Sequence, residues 1–191
     1  MTKKVSAKNK HQDESFSLFT DFDIHLFNTG KHIKVYEKLG AHAVKVKGSE
    51  GTYFAVWAPN AKSVSVIGNF NHWNAKENKL GPRWDGSGIW EGFFPGIQKG
   101  EVYKYAIHSN TGEYLEKADP FAAYAEIAPK TASIVWPTEY KWKDKKWMEA
   151  RKNLIGKAKP YSVYEVHIGS WRRKAEDGNR SLSYPELAIE L

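Results

Sequence analysis

The spacing of apolar residues changes twice along this chain, and each change predicts a different kind of element. Residues 1–20, opening MTKKVSAKNKHQDES, are polar and basic without apolar period and read as a disordered tail. From Asp21 the run DFDIHLFNTG sets Phe22, Leu26 and Phe27 at helical spacing, with an Asp at its start and Gly30 as a stop. That pattern predicts a short helical lead-in over 21–42. Between about Ala43 and Trp136 the period becomes two. VKVKGSEGTYFAVWAP predicts a hairpin around a Gly-flanked turn, closed by Pro59. In it Tyr53, Ala55 and Trp57 face one way, and Phe54 and Val56 the other. Ser63–Ile67, Ile89–Phe94, Val102–His108, EYLE and ASIVW follow, giving about seven short strands bounded by Gly, Pro or Asn. Turn signals at this spacing predict a mainly β chain, an antiparallel sandwich over 43–137.

The pattern changes again after the sandwich. Residues 138–159 are Lys-rich with two tryptophans and read as a basic connector, partly helical around Lys146–Leu154. After Pro160, YSVYEVHIGS reads as an apolar strand; a polar loop follows, then Ser183 as a helix N-cap with Pro185 and Glu186 in the first turn. Strand, loop and helix start make the opening of a βα unit over 160–191. A lone βα unit has no parallel partner strand, so the expectation is a unit cut short at Leu191.

Charge and composition narrow the partners. The net charge is +7, but residues 1–12 hold +4 and residues 141–159 hold +6, leaving −3 for the rest. The basicity lies in a tail and a connector, not in a stripe across a folded surface, which argues against a nucleic-acid partner. No apolar run approaches the roughly 18 residues of a membrane span. Nor is there the apolar stretch of a secretory signal. The chain has no cysteine, which excludes disulfides and thiolate metal sites and fits a cytoplasmic protein.

Catalytic sets are not legible. The seven histidines are scattered without metal-ligand spacing, no nucleotide-binding glycine loop occurs, and no two carboxylates are placed as an acid and nucleophile pair. No cofactor, metal or catalytic residue is therefore assigned. Glu165 and His167 would share a strand face, most simply as satisfied polar side chains. The aromatics are a better lead. Trp57, Trp90, Tyr103, Tyr105 and Ile107 alternate on strands and read as core. Trp73 lies in the polar loop GNFNHWN, where a flat ring is also a surface on which the C–H face of a sugar can stack. Lys104 and His108 point away from Tyr103 and Tyr105, hence outward, and Tyr114 follows the next turn.

Several stretches together resemble known families. FAVWAPNAKSVSVIGNFNHWN followed by GIWEGFFPGIQKGEVYKYAI resembles the family-48 carbohydrate-binding module, which implies an immunoglobulin-like sandwich. DFDIHLFNTGKHIKVYEKLGAH, KADPFAAYAEIAPKTASIVW, YSVYEVHIGSWRR and LSYPELA look closely like the 1,4-α-glucan branching enzymes, over roughly residues 20–191. That resemblance implies a glycoside hydrolase family 13 enzyme of glycogen biosynthesis. Such an enzyme cleaves an α-1,4 glucan on a (β/α)8 barrel and transfers the segment to a 6-hydroxyl. Its carboxylates sit on later barrel strands, and Val163–His167 would be only the first. The expectation for this chain is thus glucan binding and scaffolding, inactive alone, with the C-terminal barrel and α-1,4-glucan (glycogen, maltooligosaccharides) as partners. By position the resemblance implies Trp73, Lys104 and Tyr114 as sugar contacts, with Trp84 and Trp90 as alternatives. A stand-alone α-glucan-binding regulatory module is the other reading.

Overall fold

The structure, a computed structural model, describes residues 16–138, 140–154, 160 and 162–191. It divides into two compact units, Met1–Tyr140 and Lys141–Leu191.

The first unit is built on the expected hairpin. Strand β1 (Gly40–Val46) pairs antiparallel with β2 (Ser49–Trp57), Val46 opposite Ser49. Between them Lys47 and Gly48 both take positive φ, 49° and 88°, as the tightest hairpin turns require. In turn β2 pairs with β5 (Ile89–Pro95), and the two-residue β4 (Gly81–Pro82) lies on the far edge of β5. The second sheet centres on β6 (Val102–Ser109). One edge of β6 carries β3 (Ala61–Gly68), and the other is shared by β7 (Tyr114–Lys117) and β9 (Ser133–Ile134). Beyond β9 lies β8 (Tyr124–Ala125). Residues 78–80 bond to the free edge of β3 before entering β4, so one segment joins the two sheets along that flank.

Alternation decides what fills the space between the sheets. Phe54, Val66, Trp90, Phe94, Tyr103 and Val135 interdigitate there. Side chains of this size contribute about 1.5–3 kcal/mol each when fully buried. Among them the Tyr103 and Tyr105 hydroxyls donate to Asp119 Oδ2 at 2.6 and 3.1 Å, while the Asp119 amide donates to Ser133 Oγ at 2.8 Å. This network ties β6 to β9. Burial pushes the Asp119 carboxyl above its ordinary range, and burial beside that carboxylate pushes both tyrosines up.

Two sequence expectations need correction here. The expected tail over 1–20 has residues 1–15 outside those described, but residues 16–20 belong to the fold. Phe16, Leu18 and Phe19 pack with Ile24, Leu39, Tyr53 and Phe93 into a second apolar cluster on the outer side of the four-stranded sheet. Their apolar side chains alternate with Ser17 and are too few to show a period. Thr20 then caps α1 (Asp21–Asn28), its hydroxyl accepting from the Asp23 amide while Asp23 reaches back to the Thr20 amide. Trp57, expected in the core, is exposed at the end of β2, beside Phe27 and donating to Ser87 O at 3.1 Å. Its face was legible; its place beyond the last covering residue was not.

The second unit contains α2 (Lys145–Leu154), α3 (Ile168–Trp171), a small ladder of β10 (Arg173–Lys174) with β11 (Arg180–Ser181), and α4 (Tyr184–Glu190). Ser183 caps α4 as expected, in a box with Glu186, which also takes a bidentate pair from Arg180 at 2.9 and 3.0 Å. The strand expected at Val163–His167 is not formed. A strand exists only with a ladder partner, and none of the described residues supplies one. His167 instead begins α3, its ring Nδ1 2.6 Å from Ser170 Oγ.

Candidate functional site

Register places the outward face of the five-stranded sheet residue by residue. Tyr103 and Tyr105 are buried between the sheets, so their neighbours Val102, Lys104, Ala106 and His108 point outward. Opposite residues share a face, which puts Ile67 beside Lys104 and Tyr114 beside His108.

The loop holding Trp73 leaves β3 at Gly68, and only glycine fits there. A Cβ at Gly68 would lie 2.2 Å from Val102 O and 2.5 Å from the Phe70 ring. Asn71, buried behind the loop, accepts from the Gly68 amide at 3.0 Å and donates to Val66 O at 2.9 Å and Asn78 Oδ1 at 2.8 Å. Ser65, on the outward side of β3, holds the loop's far limb by donating to Ala75 O at 2.8 Å. Between these tethers His72 and Trp73 are both left-handed, with φ of 53° and 59°. Two such non-glycine residues in succession cost roughly 1–2 kcal/mol each. They persist because the surrounding bonds over-determine the turn, and strain of this kind clusters at ligand clamps. Trp73 is 38% exposed, its indole N–H donating to Asn69 Oδ1 at 3.0 Å.

The three residues assigned from sequence do not form one cluster. Trp73 and Lys104 come to the same end of the outward face, since Trp73 bonds to Gly68 O and Gly68 is paired with Tyr103. The Lys104 ammonium donates to Thr131 Oγ1 at 2.8 Å. Tyr114 stands four residues further along β6, beside His108 with ring centroids 4.9 Å apart, a separation of about 13 Å along the strand. Partial burial, with the Glu116 carboxylate that accepts its hydroxyl at 2.9 Å, pushes the Tyr114 phenol up. Of the two alternatives, Trp90 is buried between the sheets and donates to Ala58 O, while Trp84 is largely exposed.

Sequence reasoning missed a second exposed aromatic pair on this face. Tyr124 on β8 and Trp136 after β9 bring their ring centroids to 5.1 Å, and Lys99 Nζ lies 4.2 Å over the Trp136 ring. The alternation of ASIVW could have placed Trp136 outward, opposite to Val135. Nothing in a two-residue strand could have announced Tyr124. Among the described residues no three His, Asp or Glu side chains converge as a metal site, and no helix is long and apolar enough to cross a membrane.

The family Carbohydrate-binding module 48 (Isoamylase N-terminal domain) matches residues 38–122, which span β1 to β7 and include all three assigned residues. Among curated proteins, the 1,4-alpha-glucan branching enzyme GlgB of Aquifex aeolicus is 47% identical over 93% of this chain and 28% of its own length. That of Thermosynechococcus vestitus is 55% identical over 80% of this chain and 20% of its own, and that of Desulfitobacterium hafniense 46% over 96% and 29%. The chain therefore spans between a fifth and a third of the length of these relatives. Among solved structures, a pullulanase from Bacillus acidopullulyticus is 24% identical, covering 52% of this chain and 12% of its own, with a TM-score of 0.41. By the family match and these relatives, residues 38–122 resemble the family-48 carbohydrate-binding modules, within a chain similar over most of its length to the N-terminal part of 1,4-α-glucan branching enzymes.

Proposed function

We propose that the sandwich binds α-1,4 glucan on the outward face of its five-stranded sheet. Trp73 is the stacking platform, Lys104 a hydroxyl donor beside it, and Tyr114 a contact reached only by longer glucans. The observation that carries this reading is the strained, multiply tethered loop that holds a half-exposed indole away from the core. A ring fixed in this way stacks on the apolar face of a pyranose without losing further side-chain freedom. As part of a branching enzyme, the chain contributes glucan binding and scaffolding to a family 13 barrel. The segment 160–191 is the opening of that barrel, and the whole protein works in the cytoplasm on glycogen, with neither nucleic acid nor membrane as partner. The 191-residue chain alone cleaves and transfers nothing.

Titration of the chain with maltoheptaose tests the binding half. Weak saturable binding is expected, and Trp73→Ala is expected to lower affinity about tenfold or more while the protein remains folded. A folded Trp73→Ala protein with unchanged affinity removes Trp73 from the site. Iodine staining of amylose incubated with the chain tests the other half, with no change expected at high protein concentration.

A further inference from the structure

The outward row of the five-stranded sheet continues past Lys104 in the direction away from Trp73. Val102 is paired with Ile134, and Ile134 with Tyr124, so these three side chains lie side by side on one face. Trp136, two residues beyond Ile134, joins the same face. The row ends in the tilted ring pair of Tyr124 and Trp136, 48% and 39% exposed. Beside the pair is a concavity lined by Tyr124, Glu126, Ile127, Pro129, Lys130 and Ile134. Its composition is one that suits a sugar: rings and aliphatic carbon for the C–H faces, with a carboxylate and an ammonium within reach for hydroxyls. Lys99 adds a second ammonium over the Trp136 ring.

We propose that Tyr124 and Trp136 form a second glucan subsite, which takes a part of the same α-1,4 glucan further along from the part stacked on Trp73. The proposal rests on the reading of Trp73 as the primary platform. Two observations connect the sites. They share one face, with Trp73 at the end of β3 and Tyr124 on β8, three strand spacings or about 15 Å apart. Between them Lys104 Nζ donates to Thr131, in the loop that runs from the rim of the concavity to Ile134, so the residue assigned to the first subsite also positions the wall of the second. A disaccharide is too short to cover both ends of this row, and a heptasaccharide is long enough. The second subsite therefore selects for length.

The experiment is a titration of the full chain with maltose and with maltoheptaose, followed by NMR, on the wild type, Tyr124→Ala, Trp136→Ala and Tyr124→Phe. Thermal unfolding checks each variant. Both alanine variants are expected to weaken maltoheptaose binding roughly three- to tenfold and to leave maltose binding unchanged. Tyr124→Phe keeps the ring and is expected to stay within about twofold of wild type. Equal losses on both sugars would mean that the rings act on the fold or on the first subsite, and would overturn the proposal. Unchanged maltoheptaose binding in folded Tyr124→Ala and Trp136→Ala would overturn it as well, leaving the pair as a surface for something other than sugar. The two readings fail separately: unchanged maltose binding in Trp73→Ala sinks the primary platform, whatever the Tyr124 variants do.

Discussion

Outside the four-stranded sheet, Tyr53 and Phe93 point into a cluster closed over by Phe16, Phe19, Ile24 and Leu39. A polar seam fastens that cover. Arg83 donates to Glu91 at 2.7 Å, to Ser17 at 2.6 Å and to Asp85 at 2.8 Å, and the Tyr53 hydroxyl donates to Glu91 as well. Outside the five-stranded sheet the corresponding positions carry Lys104, His108, Tyr114 and Tyr124, and the first unit lays only the Trp73 loop at one side of them. Aromatic residues therefore sit on the outer faces of both sheets, and only their cover separates core from exposed surface. The difference teaches that alternation assigns a side chain to a face but does not say whether that face is covered.

Substitutions on the two sides should thus fail in different ways. Between the sheets, Trp90→Ala should cost about 3–5 kcal/mol in denaturant unfolding and leave glucan affinity per folded molecule unchanged. On the covered side, Arg83→Met leaves Glu91 and Asp85 without their guanidinium and should cost about 3 kcal/mol, again without a binding defect. If Arg83→Met instead proves neutral, the seam is decoration and the apolar cluster alone holds the cover. On the open side, Lys104→Ala should reduce maltoheptaose affinity only a few-fold, about 0.5–1.5 kcal/mol, since one hydrogen bond and no stacking surface is lost. Its melting temperature should stay near that of wild type.

The smallest expected effect concerns acid. Burial raises the Asp23 carboxyl, but hydrogen bonds from Thr20, His32 and Lys38 outweigh it and hold the group below its ordinary range. A carboxylate lowered in the folded state stabilises above its unfolded value, near 4, and loses that contribution as pH falls through the lower folded value. Asp23→Asn should therefore flatten the acid limb of the stability curve below about pH 4. An unchanged limb would show that α1 and its cap do not contribute to the cover's hold.

How much of this was legible follows the same line. Tyr53–Trp57 and Val102–His108 alternate long enough to sort their residues onto two faces, and the charge of Lys104 marks its face as the outward one, so the sandwich and the outward Lys104 could be read directly. The cover could not. Ser17, Arg83 and Glu91 meet across 66 and 74 positions of sequence, and nothing local marks them as partners. The ladders of β8 and β9 are two residues each, shorter than one full alternation, so Tyr124 gave no signal. Trp73 stood out for the opposite reason: a large ring in a run of asparagines has no local explanation. Tyr114 was legible only as following the next turn: a hairpin's register sets both its face and how far along it stands, and register is invisible before the turn is known.

Asn71, buried behind the loop, uses both amide protons and its carbonyl on the backbone and on Asn78. The conformational entropy of the loop is thereby lost during folding and would not be lost again on ligand binding. On the proposed reading, a glucan stacking on Trp73 would have little ordering to oppose it, so shallow contact with a few rings would suffice to hold a flexible polymer. Without that amide the same indole would have to be immobilised by the sugar itself, and affinity would fall although no sugar contact had been removed.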